Sequence, residues 1–177
     1  TYQYQGKYRS YFRSTRAHNT VMIDEREQSE CWGEHRVARR INCLKAKKNA
    51  QLITGSYRTY TGDTHTRMLS LAERAVTVLD STCSTRLATV RSYLHLSQGC
   101  QATVEEDRIS IRLDGAIVCK IMPTEAVYTI HTAGELVNYA PQFGFLCQAQ
   151  CIEFSWQSDE KRHGYIIQII ENEVEND

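Results

Sequence analysis

The sequence predicts an all-β fold, a two-sheet antiparallel β-sandwich of many short strands, and three observations carry that prediction. Short runs rich in Val, Ile, Thr and Tyr recur along almost the whole chain, as expected of half-buried and buried strands. The connections between them carry Gly, Asp, Asn and Ser, at intervals close to those of antiparallel sandwiches. Long helical patterns are missing, and only TRLATVRSYL imitates one.

In chain order, the first expected strand is HNTVMID, where Val21-Met22-Ile23 is held between polar residues. NCLKAKK, AQLITGSY, HTRMLSL, AVTVLDS and ATVRSYLHL follow, separated by polar stretches such as SYRTYTGDT. CQATVEE comes after the turn sequence LSQGC. RISIRL and AIVCKIM are joined at Asp114-Gly115, a pair suited to the positive backbone angles of a tight hairpin turn. AVYTIHT, ELVNYA, CIEFSWQ and GYIIQII complete the series. No repeat, low-complexity tract or linker interrupts it, so residues 1–177 are expected to form a single β-sandwich domain.

Lys+Arg and Asp+Glu both number 21, so the formal net charge is zero and nothing in the overall balance points to nucleic acid or a membrane as a partner. The charge is unevenly spread. The first 50 residues are rich in cations, among them Arg36, Arg39, Arg40, Lys45, Lys47 and Lys48, whereas the tail ENEVEND is acidic. A basic end suits an anionic ligand such as a uronate or sulfate, and equally suits a solvated, ion-paired face. The seven cysteines include no C-x-x-C pair, which leaves zinc-ribbon and redox motifs unsupported. Most of them, Cys119 in AIVCKIM for example, are expected to pack as small buried hydrophobes, with room for up to three disulfides. No apolar run approaches the roughly 18 residues of a membrane span, and no signal peptide is recognisable. The chain opens on Thr1 with TYQYQGKYRSYFRS, which already looks like structured sequence and reads as part of something longer.

The string YFRSTRAHNTVMIDEREQSE crowds two arginines, a histidine and an asparagine onto the start of a strand, where rigid scaffold holds side chains well. With the preceding Thr1-Tyr2-Gln3-Tyr4 it resembles the C-terminal domain of heparinase II/III-like bacterial polysaccharide lyases, matching a pattern that runs from Tyr11 to Val21 and on to Asp24 and Gln28-Ser29. THTRML, VTVLDS, RSYLHLSQGC and NYAPQFG agree with later segments of that family in order, with Gln98 where proline is common. The resemblance covers residues 1 to about 170.

The resemblance implies a two-part enzyme in which an N-terminal α/α-toroid, absent from this chain, and the sandwich enclose an acidic polysaccharide. It implies β-elimination on a uronic acid, in which a base removes the proton alpha to the carboxylate and an acid protonates the departing glycosidic oxygen. Tyr2 and Tyr4 are the candidate catalytic tyrosines, the spacing to His18 slightly favouring Tyr4; the alternative is aromatic packing on a half-buried strand. Arg13, Arg16 and Asn19 are the candidate substrate-binding residues, Arg13 being suited to clamp a carboxylate through two parallel bonds. His18 resembles a zinc ligand whose partners precede Thr1, so zinc is expected in the full-length protein and not in this chain alone; the competing reading is a structural histidine. His65 and His95 read as sandwich residues and Gln28-Ser29 as turn chemistry. The family suggests a periplasmic or secreted location, while the cysteines sit more easily in a reducing cytoplasm. The alternative function is a non-catalytic carbohydrate-binding or structural module on the same fold.

Overall fold

In a computed structural model describing residues 6–33, 35–142, 144–159 and 161–171, strand accounts for 57% and helix for 7%. A helix, α1 (Lys7–Arg13), is followed by a 3-10 turn at Thr15–Ala17 and then by strands. These are β1 (Val21–Ile23), β2 (Glu30–Trp32), β3 (Arg36–Ala38), β4 (Asn42–Lys48), β5 (Leu52–Arg58), β6 (Thr64–Ala72), β7 (Ala75–Cys83) and β8 (Thr89–His95). Then come β9 (Gln101–Glu105), β10 (Arg108–Leu113), β11 (Ala116–Thr124), β12 (Val127–His131), β13 (Asn138–Tyr139), β14 (Cys147–Gln148), β15 (Cys151–Gln157) and β16 (His163–Ile169).

Two sheets form the layers of the sandwich. A four-stranded sheet runs β1-β8-β15-β12, and an eight-stranded sheet runs β4-β5-β6-β7-β16-β11-β10-β9, every pair antiparallel. Alternation drives the packing: Val21, Ile23, Val90, Ile152, Phe154 and Trp156 of the small sheet meet Val78, Ile109, Ile111, Ile121 and Tyr165 of the large one in one apolar cluster. Phe154 stacks on Tyr165 with ring centroids 4.5 Å apart, joining β15 to β16 across the layers. Every residue of β4 is exposed, so the small sheet leaves that edge of the large one uncovered.

The expected hairpin forms between β10 and β11, with Asp114 at φ 51° and Gly115 at φ 86°. TRLATVRSYL becomes β8 and not a helix. Elsewhere the structure departs from expectation. Residues 7–13 form α1, the three-residue strands β2 and β3 make a small hairpin of their own, and ELVNYA becomes a 3-10 turn at Glu135–Val137 before the two-residue β13. Gly134 at φ 89° redirects the chain there, and Val137 is buried at 3% exposure. The cysteines also differ: all seven are free, Cys151 alone is buried, and Cys31, Cys43 and Cys83 are exposed because they lie on the small hairpin, the open edge strand and a strand end. No described helix is long and apolar enough to cross a membrane.

Candidate functional site

The segment from Tyr11 to Thr20 turns twice before it joins the small sheet. Ser14 ends α1 in extended geometry, its Oγ and its backbone N–H both donating to the Tyr11 carbonyl at 2.6 and 2.8 Å. After the 3-10 turn the chain is extended at His18 (φ −129°, ψ 154°), and β1 begins only at Val21. His18 and Asn19 therefore precede the strand, both exposed, at the end of the sandwich where β8 finishes.

Two sets of partners hold this segment. From the small sheet, the His95 N–H donates to Asn19 Oδ1 at 2.9 Å, and His95 Nε2 lies 2.8 Å from the Arg16 carbonyl, a donor to it in that tautomer. Burial lowers the pKa of His95, favouring the neutral ring. From the large sheet, Arg67 on β6 donates to the Asn19 carbonyl and to Ser92 Oγ on β8, and it grips Asp80 on β7 at 2.7 and 2.8 Å. His65 Nε2 lies 2.8 Å from the same carboxylate. Burial opposes ionisation of Asp80, yet the bonds from Arg67 and His65 hold its carboxyl down at about 2. Gln28 Nε2 adds contacts with Thr20 Oγ1, the Val21 carbonyl and Tyr57 Oη. The polar layer thus ties both sheets to the segment carrying His18.

Beside it lies a groove of about 290 Å³ whose walls include Tyr11, Arg13, Arg16, Trp32, Glu27 and Glu135. Arg13 donates through its two terminal nitrogens to the Gly33 and Arg36 carbonyls, both at 2.8 Å, and so anchors the β2–β3 hairpin that carries Trp32. Arg16 is 44% exposed and pairs with Glu135, while the Glu27 carboxylate accepts the Thr15 N–H. Trp32, also 44% exposed, offers an apolar ring face to the groove.

The family model described as "Heparinase II/III-like, C-terminal" matches residues 1–165. The chain belongs to that family. No curated protein matches it. Among solved structures, a heparinase III with methylated lysines superposes with a TM-score of 0.69 at 13% identity, covering 99% of this chain and 27% of that one. A heparan sulfate lyase, HepC from Pedobacter heparinus, gives 0.68 at 12% identity, covering 94% of this chain and 26% of that one. At such identities the likeness shows the fold. The chain spans about a quarter of the length of these two proteins.

Against this family background, the structure brings Arg13 and Arg16 into one groove and leaves His18 and Asn19 exposed in the extended segment that follows Arg16. Tyr2 and Tyr4 lie outside the described residues. Tyr57 and Tyr93 are pushed up to about 12, by burial first, and Tyr11 is raised too, so none of these three offers a phenolate at neutral pH. Among the described residues no group of three or more His, Cys, Asp or Glu could hold a metal ion. His18 alone does not fit zinc, which takes three or four protein ligands. The sequence reading missed Trp32, whose exposed aromatic ring left no mark in the strand pattern. It also assigned Gln28 to turn chemistry, whereas Gln28 clamps β1 to β5. Arg67 and Asp80 lie in THTRML and VTVLDS, two segments that match the family in order, but nothing along the chain joined the two side chains into a pair.

Proposed function

We propose that this chain forms one wall of the substrate cleft of a polysaccharide lyase that cleaves uronic-acid-containing chains by β-elimination, the other wall coming from an N-terminal α/α-toroid. The observation carrying the proposal is the convergence of Arg13, Arg16 and the exposed Trp32 on one groove, with an exposed His18 two residues after Arg16, in a chain of this family. Trp32 suits stacking against a sugar ring, and Arg16, released from Glu135 by a competing carboxylate, suits the uronate. The His18 imidazole makes no hydrogen bond among the described residues, leaving it open to take or give a proton at the sugar. Arg13, committed to the hairpin carbonyls, would shape the groove without touching the uronate. Tyr2 or Tyr4 would supply the second proton-transfer group. Should His18 hold zinc, its remaining ligands would come from outside the described residues.

The test is the ultraviolet absorbance of the unsaturated uronate released from heparan sulfate, alginate and related polymers. In the intact protein His18→Ala should lower kcat by about 10²- to 10⁴-fold. Arg16→Ala should raise KM, and this chain alone should give no turnover. A non-catalytic carbohydrate-binding module would instead bind the polymers with no turnover by the intact protein, and steady turnover by the isolated chain would place the reaction elsewhere.

A further inference from the structure

The outward face of β4 to β7 is chemically one-sided. These four strands hold a single carboxylate, Asp80, and it is fully buried on the inner side. Residues directly opposite in an antiparallel ladder share a face. One row therefore runs Lys45, Ser56, Thr66, Ser81 from the open edge inward, and a second runs Arg58, Thr64, Cys83. Lys47 continues the cationic edge beside Thr54. Ser56 Oγ and Thr66 Oγ1 are 2.8 Å apart, which places this pair of hydroxyls on one surface. Among the described residues Lys45, Lys47 and Arg58 have no ion pair.

The inner ends of both rows enter a groove of about 520 Å³ at the β6–β7 end of the sheet, its walls including Thr64, Thr66, Ser81, Thr82, Ser84 and Arg86. Asp159 also lines it, paired with His163. Thr82 is 5% exposed and its Oγ1 has no hydrogen-bond partner among the described residues. β8 starts near this groove and finishes at His95, so it lies at the other end of the sandwich from His18.

We propose that this face is a second binding surface for an anionic polysaccharide, with Lys45, Lys47 and Arg58 taking carboxylate or sulfate groups and the hydroxyl-lined groove taking the sugar hydroxyls. Three strand spacings separate the β4 cations from Ser81, about 14 Å, enough for an extended polymer to meet both. Edge lysines also discourage strand-to-strand aggregation. That role explains β4, but not Arg58 on β5 or the hydroxyl rows running inward from it. Nucleic acid would find cations here but no aromatic platform on the face. The proposal rests on the lyase reading only for the class of polymer.

The test is affinity electrophoresis of the intact protein through gels containing heparan sulfate, with single-stranded DNA as a parallel arm. Lys45→Gln/Lys47→Gln/Arg58→Gln should weaken heparan sulfate binding by about tenfold or more. Thr66→Val/Ser81→Ala, which leaves every charge in place, should weaken it by a smaller but clear factor. The charge variant should weaken retention with kcat unchanged, whereas Arg16→Ala should alter turnover, so the two readings fail separately. Unchanged retention of the charge variant overturns the proposal, as does retention indifferent to the hydroxyl pair. DNA held as tightly as heparan sulfate overturns it in favour of a nucleic-acid surface. Self-association of the charge variant with unchanged polymer binding would assign the lysines to edge protection.

Discussion

At the scale of single residues, the buried pair Arg67 and Asp80 does the most to place the candidate site, because it bonds the Asn19 carbonyl from below while spanning both sheets. A carboxyl held at about 2 against an ordinary value of 3.8 favours the folded state above the unfolded pKa, and the benefit disappears as pH falls through the folded one. Stability should therefore fall by about 2 kcal/mol between roughly pH 4 and pH 2, read as a shift in urea midpoints across that range. Asp80→Asn leaves the guanidinium buried without its counter-charge and should cost about 3–5 kcal/mol by the same measurement at pH 7. A cost under about 1 kcal/mol would mean that solvent reaches Arg67. Neither partner was singled out as a site residue in sequence, since each reads as one polar position within a strand, Arg67 between Thr66 and Met68 and Asp80 between Leu79 and Ser81.

At the scale of elements, two contacts set where strands and hairpins lie. A Cβ on Gly164 would sit 2.0 Å from the Val78 carbonyl oxygen, so β16 approaches β7 more closely there than any side chain permits. Gly164→Ala should destabilise the protein by about 1–3 kcal/mol or more, measured by thermal or urea unfolding; a neutral result would show that the two strands separate freely. Arg13 bonds the Gly33 and Arg36 carbonyls in a fork that lysine does not reproduce. Arg13→Lys should speed amide exchange in β2 and β3 while costing only about 0.5–1.5 kcal/mol overall, and unchanged exchange would detach Arg13 from the hairpin. The longer strands were legible because their apolar residues alternate over five to nine positions. The hairpin of β2 and β3 was not, for three residues carry too little periodicity and this fork is a contact across 20 positions.

At the scale of the whole molecule, no disulfide joins the layers, and cohesion comes from the shared apolar cluster and the polar layer beside it. Thiol labelling of the native protein should modify Cys31, Cys43 and Cys83 quickly and Cys151 only on unfolding, with reductant leaving the melting temperature unchanged. A melting temperature lowered by reductant would reveal a disulfide. The zero net charge conceals a polarised surface, since the cations of β4 and β5 face outward without carboxylates while Asp80 is enclosed.

The strand series, the Asp114-Gly115 turn and, through the run from Tyr11 to Ser29, the family are legible along the chain, because each depends on neighbouring residues. It took the folded arrangement to show that Arg13 serves the hairpin, that Arg16 shares a groove with Trp32, that His95 fastens the turn before His18, and that Lys45, Ser56, Thr66 and Ser81 fall in one row. Side-chain alternation assigns a residue to one of two faces, whereas strand order and register decide what it meets on that face, and those follow from packing between residues far apart in the chain.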